Sequence, residues 1–141
     1  MNVWDALDGE FARFPELAAC GVPESTINAA EIRLGCKFAE SYRRFLRQYG
    51  AGLVGDGPIL GLARAEAMGE DLWSVVETTE RFRRDNWPGA DVWYIVSVDG
   101  SGNPVGVDAQ GSVWLSDHDV GEVVAIASSF EELLRLKCAG P

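Results

Sequence analysis

VWYIVSVDGSGNPVGVDAQGSVWLSDHD, residues 92–119, is the stretch of the sequence that decides the fold. Its first segment, VWYIVSV (92–98), is rich in β-branched and aromatic residues on both faces, which predicts a central strand covered on both sides. DGSGN and DAQG contain residues that accept the backbone conformations of tight turns, and an alternating segment follows each of them. The stretch therefore predicts a β-meander of three strands, at 92–98, 104–108 and 112–116.

DGSGN could also belong to a ligand-binding loop, but its spacing excludes two such loops. A calcium EF-hand loop needs Gly at position 6 and Glu at position 12, whereas counting from Asp99 gives Pro104 and Gln110. A dinucleotide-binding loop needs GxGxxG at the start of a helix, whereas Val105 replaces the third glycine. We therefore interpret DGSGN as a hairpin turn.

Helical periodicity precedes and follows the meander. The apolar residues of SYRRFLRQYG (41–50) recur at i, i+3, i+4 and i+7, which predicts an amphipathic helix that ends at Gly50. The same reasoning predicts an N-terminal helix at about 3–14, a helix in PESTINAAEIRLG, one around 72–82, and one in SSFEELLRLK, where Ser128 and Glu131 have capping-box spacing.

Length and element order together predict the fold class. A chain of 141 residues with 47% hydrophobic content suits one compact domain that buries about two thirds of its unfolded surface. A further short strand is expected at 59–62. The sequence thus predicts an α+β fold, a single domain over 1–141, whose largely antiparallel sheet packs against several helices.

Charge is the most informative bulk property of the chain. The net charge is −10, and the segment 85–134 contains nine acidic residues without a single Lys or Arg. Such a surface repels phosphate backbones and anionic membranes and attracts cationic partners. The sequence therefore argues against nucleic-acid and membrane binding, although the charge could also serve only to keep the protein soluble.

Three cysteines, Cys20, Cys36 and Cys138, lack CxxC or zinc-site spacing and suit reduced thiols. The acidic N-terminal residues lack the basic region and apolar run of a secretory signal. No apolar stretch is long enough to span a bilayer. We therefore expect a cytoplasmic protein that needs no cofactor.

Asp117, His118 and Asp119 form the triplet that most suggests catalysis or metal binding. Neighbouring residues of an extended chain point in opposite directions, however, and zinc needs three or four converging ligands. GxSxG, HExxH and phosphate-loop motifs are absent from the sequence. We predict no metal site and no enzymatic activity; the alternative is a small-ligand-binding or metal-dependent hydrolytic domain that uses this triplet.

Trp114 is the candidate anchor of a partner-binding face. Alternation places it with Ser112 and Ser116 on the polar side of its strand, among acidic residues. An aromatic anchor with acidic neighbours suits a cationic protein partner. The alternative is that a helix of the same chain covers Trp114. The candidate partner-binding residues are Asp108, Trp114, Asp117, Asp119 and Glu122.

Six segments of the chain occur in the order typical of one known family. They are AAEIRLG (29–35), SYRRFLRQYGAG (41–52), I-x-G-L (59–62), WYIVSVDGSGN (93–103), DAQGSVWLSDHD (108–119) and ASSFEELL (127–134). Together they resemble the SUKH superfamily, specifically the Smi/Knr-type domain, over residues 25–136. One departure is Phe38-Ala39, where the family usually carries Leu-Pro.

The resemblance implies both a fold and a class of function. It implies helices packed on a largely antiparallel sheet. Bacterial members of the family are associated with immunity proteins that neutralise toxins, often nucleases, and fungal relatives act as regulatory interaction proteins. No catalytic residues are implied. The expected function is therefore non-enzymatic binding of a cationic toxin domain, for which a −10 protein would compete with nucleic acid.

Overall fold

The structure, a computed structural model, describes residues 2–139. Within them the chain forms five α-helices, one 3-10 turn at Pro15–Leu17, and six strands. The helices are α1 (Val3–Arg13), α2 (Glu24–Leu34), α3 (Glu40–Tyr49), α4 (Val75–Arg84) and α5 (Phe130–Ala139); the strands are β1 (Gly52–Val54), β2 (Gly57–Ile59), β3 (Tyr94–Val98), β4 (Pro104–Val107), β5 (Val113–Asp117) and β6 (Glu122–Ala127). The predicted α+β class is confirmed.

The meander extends one strand further than the sequence predicted. Strands β3, β4, β5 and β6 form a four-stranded antiparallel sheet in that order. The first three correspond to the predicted strands. β6 lies beyond the last strand that the sequence predicted, which ended at residue 116.

All three turns of the meander begin with an aspartate, at Asp99, Asp108 and Asp117. Each carboxylate accepts a hydrogen bond from the backbone N–H two residues later, at 2.9 Å. Asp99 and Asp108 each accept a second one from the residue four positions later, also at 2.9 Å. Because aspartate side chains can satisfy turn amides in this way, Asp99, Asp108 and Asp117, which are spaced nine residues apart, stabilise the three turns.

β3 lies at one edge of the sheet, so its predicted central position is wrong. The prediction that it is covered on both faces holds, since its first four residues are buried. Two groups outside the sheet cover its free edge: Thr79 Oγ1 of α4 accepts from Ile95 N at 2.8 Å, and Leu60 N donates to Val96 O at 2.7 Å. A buried apolar run in the sequence therefore does not distinguish a central strand from an edge strand that other parts of the chain cover.

An aromatic cluster joins the helices to the sheet. Tyr42 of α3 lies 5.0 Å from Phe130 of α5 and 5.3 Å from Tyr94 of β3, measured between ring centroids. All three rings are essentially inaccessible to solvent. The Tyr94 hydroxyl accepts a hydrogen bond from Ala39 N at 2.9 Å, and a proline at position 39 would lack this donor. The departure from Leu-Pro therefore coincides with a specific contact to the sheet.

Two local predictions need correction. The glycine-rich stretch after α3 forms a hairpin, β1 with β2, and the strand expected at 59–62 is its second half, displaced toward the N-terminus. The cap of α5 is Ser129, whose Oγ accepts from Glu132 N at 3.0 Å, rather than Ser128 with Glu131. Glu132 in turn accepts from Ser128 N at 2.7 Å, so the capping box lies one residue further along the chain.

Candidate functional site

The structure places the five candidate partner-binding residues at two ends of the β4–β5–β6 sheet. Asp108 precedes β5 and lies beside Trp114, whereas Asp117, Asp119 and Glu122 lie at the turn that joins β5 to β6. Asp117 and Glu122 are directly paired across that hairpin. The predicted set is therefore an aromatic residue with one carboxylate at one end and three carboxylates at the other.

Trp114 is half-buried, and its cover comes from another tryptophan of the same chain. Its ring stacks on that of Trp93, with centroids 6.5 Å apart and planes within 9°. Gly106, which pairs with Trp114, leaves room for this stack, because a Cβ there would lie 2.5 Å from the Trp93 ring. Trp114 is therefore covered by its own chain, as the alternative expected, but the covering residue is Trp93, which lies just before β3 and not in a helix.

The face of β5 that carries Trp114 is less polar in its surroundings than alternation predicted. Ser116 on the same face is only 2% exposed, while Leu115 on the other face is half-buried. A register shift between Val113 and Trp114 interrupts the pairing with β6. The extra residue of this bulge is Ile126 of β6, and the pairing of β5 with β4 is regular, so alternation assigned the two faces of β5 correctly but could not show which neighbours bury each face.

Asp108 has little remaining capacity to bind a partner. Its Oδ1 accepts from Gln110 N and Ser112 N, both at 2.9 Å, and its Oδ2 accepts from Trp114 Nε1 at 2.8 Å. These three bonds hold the β4–β5 turn and orient the indole ring. The carboxylate therefore acts within the fold.

Replacing Asp108 by alanine should lower the free energy of unfolding by about 2 kcal/mol, because two turn amides and an indole N–H lose their acceptor. Asp119→Ala is the matched control, since the Asp119 side chain is 71% exposed and lies 3.3 Å from the partly exposed ring of His118. We expect that control to change stability by less than about 0.5 kcal/mol. Urea denaturation measures both, and equal effects would contradict the assigned role of Asp108.

The Asp117-His118-Asp119 triplet forms a turn rather than a converging site. Asp117 Oδ1 accepts from Asp119 N at 2.9 Å, and Asp117 O accepts from Gly121 N at 2.8 Å. Asn103, in the β3–β4 turn, accepts from His118 N at 3.1 Å and contacts the imidazole Nδ1. Among residues 2–139, no group of three potential metal ligands lies close enough to hold an ion.

Asp99 adds a fourth carboxylate to this end of the sheet. It lies in the β3–β4 turn, which Asn103 links to the β5–β6 turn. Burial disfavours its charged form, but hydrogen bonds from Asn103 and Ser101 outweigh burial and lower the pKa of Asp99 below its usual value. This turn therefore contributes a stable negative charge at neutral pH.

The helical part of the protein neutralises its own charges, whereas the sheet does not. Arg43 binds Glu24 and Glu31, and Arg47 binds Glu24 and Glu40, across α2 and α3. The nine acidic residues of segment 85–134 leave thirteen acidic and twelve basic residues for the rest of the chain. Nine of the ten net negative charges therefore belong to segment 85–134, and five of its nine carboxylates lie in the sheet and its turns: Asp99, Asp108, Asp117, Asp119 and Glu122.

Sequence reasoning missed the exposed apolar residues of β6. Four consecutive residues of this strand, from Glu122 to Ala125, are exposed, including Val123 (37%) and Val124 (43%). A strand covered on one face would alternate between buried and exposed positions. The β-branched pair Val123-Val124 was the available signal, but it could not show that the described part of the chain leaves residues 122–125 uncovered.

The remaining sequence predictions concern cysteines and membrane segments. Cys20, Cys36 and Cys138 are free thiols, and burial raises the pKa of Cys36 and Cys138. In the described part of the chain, no helix has both the length and the apolar character needed to cross a bilayer.

Comparison with known proteins assigns the chain to a family. A search of curated proteins finds no match. The model of the SMI1 / KNR4 family (SUKH-1) matches residues 21–136, which include every helix after α1 and all six strands, apart from the last residues of α5. The match agrees with the predicted resemblance over 25–136. The chain therefore belongs to the SMI1 / KNR4 family (SUKH-1).

Proposed function

We propose that this protein is a non-enzymatic immunity protein that binds and neutralises a cationic toxin domain. Membership of the SUKH family is consistent with a toxin-immunity or protein-binding role. The proposed site of action is the cytoplasm, where free thiols such as Cys20, Cys36 and Cys138 remain reduced.

The observation that carries the proposal is the separation of charge between helices and sheet. The helical carboxylates of Glu24 and Glu31 pair with arginines of the same chain, while those of Asp99 and Asp117 in the meander turns accept hydrogen bonds from backbone amides. A carboxylate bonded to amides keeps its full negative charge. The sheet therefore presents a field that accelerates association with a cationic protein.

A nuclease is the toxin class that this field suits best. An enzyme that cleaves nucleic acid needs a basic surface for the phosphate backbone. A protein with uncompensated carboxylates at Asp119 and Glu122 can occupy that surface and exclude the nucleic acid. Such inhibition needs no catalytic group on the immunity protein.

The proposal is favoured over hydrolysis by the Asp117-His118-Asp119 triplet for a geometric reason. The backbone bonds of Asp117 and the contacts of His118 with Asn103 hold the triplet as a hairpin turn. Metal-dependent hydrolysis would need converging ligands with an open coordination position. The triplet forms a hairpin turn whose side chains do not converge on one point, which favours a structural role over a hydrolytic one.

The proposal is tested by co-expression with the polypeptide encoded next to this chain's own gene. We expect a stable complex on gel filtration, and restored growth of cells that produce the toxic polypeptide. Titration calorimetry of the purified pair measures the affinity directly. Failure of both binding and growth protection would refute the proposal for that partner.

Reversing two exposed charges should slow association with this partner. We expect Asp119→Lys with Glu122→Lys to lower the association rate about tenfold and to weaken its salt dependence, because steering acts mainly on encounter. The control pair, Glu16→Lys with Glu66→Lys, changes the net charge equally at exposed positions outside segment 85–134. Surface plasmon resonance at low and high salt measures the rates. An equal loss for both pairs would place the interface elsewhere.

A further inference from the structure

The four-stranded sheet has one covered edge and one open edge. Thr79 and Leu60 satisfy backbone groups along the free side of β3. Within residues 2–139, β6 at the opposite edge pairs only with β5. An unpaired edge offers a row of backbone donors and acceptors to another strand.

β6 lacks the features that usually prevent an edge strand from pairing. Its sequence, EVVAIA, contains neither proline nor lysine, and its only charge is Glu122 at the first position. Val123 and Val124 are exposed, although β-branched residues favour strand pairing. One bulge is present, at the far end, opposite the step from Val113 to Trp114. Residues 122–125 therefore form a regular, open edge.

An apolar groove lies beside this edge, on the face of the sheet toward α5. It has a volume of about 740 Å³, and its apolar lining comes from the sheet on one side and from α5 on the other. Leu115 of β5 pairs with Val124, so Val124 points to the same face as the groove. On α5, Leu136 lines the groove and is 54% exposed. A strand added to β6 would find room there for its apolar side chains.

The charges around β6 identify the kind of strand that fits. Glu122 lies opposite Asp117 at one end of β6, and Asp99 lies at the rim of the groove. Lys137, which also lines the groove, is paired with Asp56 at 3.4 Å. A second copy of this chain would bring another −10 protein to an acidic edge, whereas a basic strand would neutralise it.

We propose that β6 is a docking edge to which an extended cationic segment of the partner protein adds as a fifth strand. Backbone hydrogen bonds to residues 122–125 hold the segment, its apolar side chains enter the groove, and its Lys or Arg side chains meet Asp117, Glu122 and Asp99. The inference rests on the proposed function, in that the segment belongs to the same cationic partner. It adds the place and the mode of binding.

A short synthetic peptide tests this docking edge without the natural partner. The probe is a capped six-residue peptide, matching the length of β6, in which Lys and Val stand two residues apart, so that both project to the face that Glu122 and Val124 share. We expect it to bind with a Kd of about 1 mM or tighter and, at about 1 mM peptide, to slow amide exchange in β6, measured by NMR, by about twofold or more. A peptide with Glu in place of Lys should not bind. Protection outside β6, or none at about 1 mM peptide, overturns the proposal.

A matched pair of variants tests the side-chain part of the proposal. Val124→Lys places a charge of the same sign as the peptide beside the groove and should weaken peptide binding at least tenfold. Val92→Lys makes the same change at a position that is 62% exposed and outside β6, so binding should stay within about twofold. Ala125→Lys, on the opposite face, replaces Val124→Lys if that variant misfolds. If the Val92 variant loses as much peptide affinity as the variant in β6, the proposal is overturned.

Two further measurements separate this inference from neighbouring ones. Light scattering of the free protein should show a monomer; a dimer that Val124→Lys dissociates would assign the edge to a second copy and overturn the cationic segment. Amide exchange of the complex with the neighbouring gene's product should show protection in β6. A stable complex with protection elsewhere overturns the docking edge and leaves the proposed function intact, whereas peptide binding without any such complex overturns the proposed function for that partner.

Discussion

Replacing Gly50 or Gly61 by alanine should destabilise the protein by about 3 kcal/mol or more. Gly50 follows α3 with φ of +76°, and a Cβ there would lie 2.1 Å from the backbone oxygen of Cys20. At Gly61 a Cβ would lie 1.7 Å from the backbone oxygen of Gly50. Both obstructions are backbone atoms, so a rotamer change cannot relieve them, and strain adds to overpacking.

Hydrogen bonds hold the backbone where Gly61 packs against Gly50, and a displaced backbone would lose them. Leu62 N donates to Gly50 O at 2.8 Å, and Gly61 N donates to Trp73 O at 2.8 Å. Val75 N donates to Gly61 O at 2.9 Å at the start of α4. Moving Gly61 away from Gly50 would therefore disturb α3, the segment after β2, and the start of α4 together. We expect a loss large enough to unfold a domain of marginal stability.

Gly9→Ala is the matched control for this prediction. Gly9 lies within α1, and a Cβ at this position would meet nothing within 4 Å. Alanine should stabilise the helix there by about 0.5–1 kcal/mol, because glycine is a poor helix former. Guanidinium denaturation followed by circular dichroism measures all three variants. A Gly61→Ala protein within 1 kcal/mol of the unchanged protein would contradict the close packing described here.

The glycines illustrate how far the sequence could predict the fold. Gly50 was predicted to end α3, because a glycine after an amphipathic pattern is a local signal. Its contact with Cys20, and the contact of Gly61 with Gly50, join segments that are distant in the sequence. Neither contact has a periodicity or spacing that could reveal it. Local rules thus predicted the helices and three of the four meander strands, and missed how the segments cross.

The candidate site was predictable to the same extent. Asp99 and Asp108 were recognised as turn residues from neighbouring glycines, and the structure places them there. The cover of Trp114 by Trp93 and the bulge after Val113 depend on which strands pair. For that reason the hydrogen bond from the Trp114 indole to Asp108 was not predicted.

Replacing Glu31 by alanine should lower the free energy of unfolding by about 3 kcal/mol. Glu31 is only 6% exposed, and its carboxylate joins two parts of the chain: Oε2 accepts from Phe38 N at 2.7 Å, and Oε1 binds Arg43 Nη1 at 2.8 Å. Alanine leaves a buried amide without an acceptor and removes the buried counter-ion of a guanidinium. The expected loss is below the upper range for such pairs, because Arg43 keeps its contacts with Glu24 and Asn28.

Glu40→Ala is the matched control, because the Glu40 carboxylate also binds an arginine, Arg47, yet its side chain is 75% exposed. Its removal should cost less than 1 kcal/mol, since water screens an exposed pair. Glu31→Gln separates the two roles of Glu31: the amide oxygen can still accept from Phe38 N, while the charge opposite Arg43 is lost. In urea denaturation, we expect the free energy of unfolding of the Glu31→Gln protein to lie between those of the unchanged protein and of Glu31→Ala. Similar losses for Glu31→Ala and Glu40→Ala would show that burial does not strengthen the pair, and a Gln variant as unstable as Ala would assign the whole effect to the ion pair with Arg43.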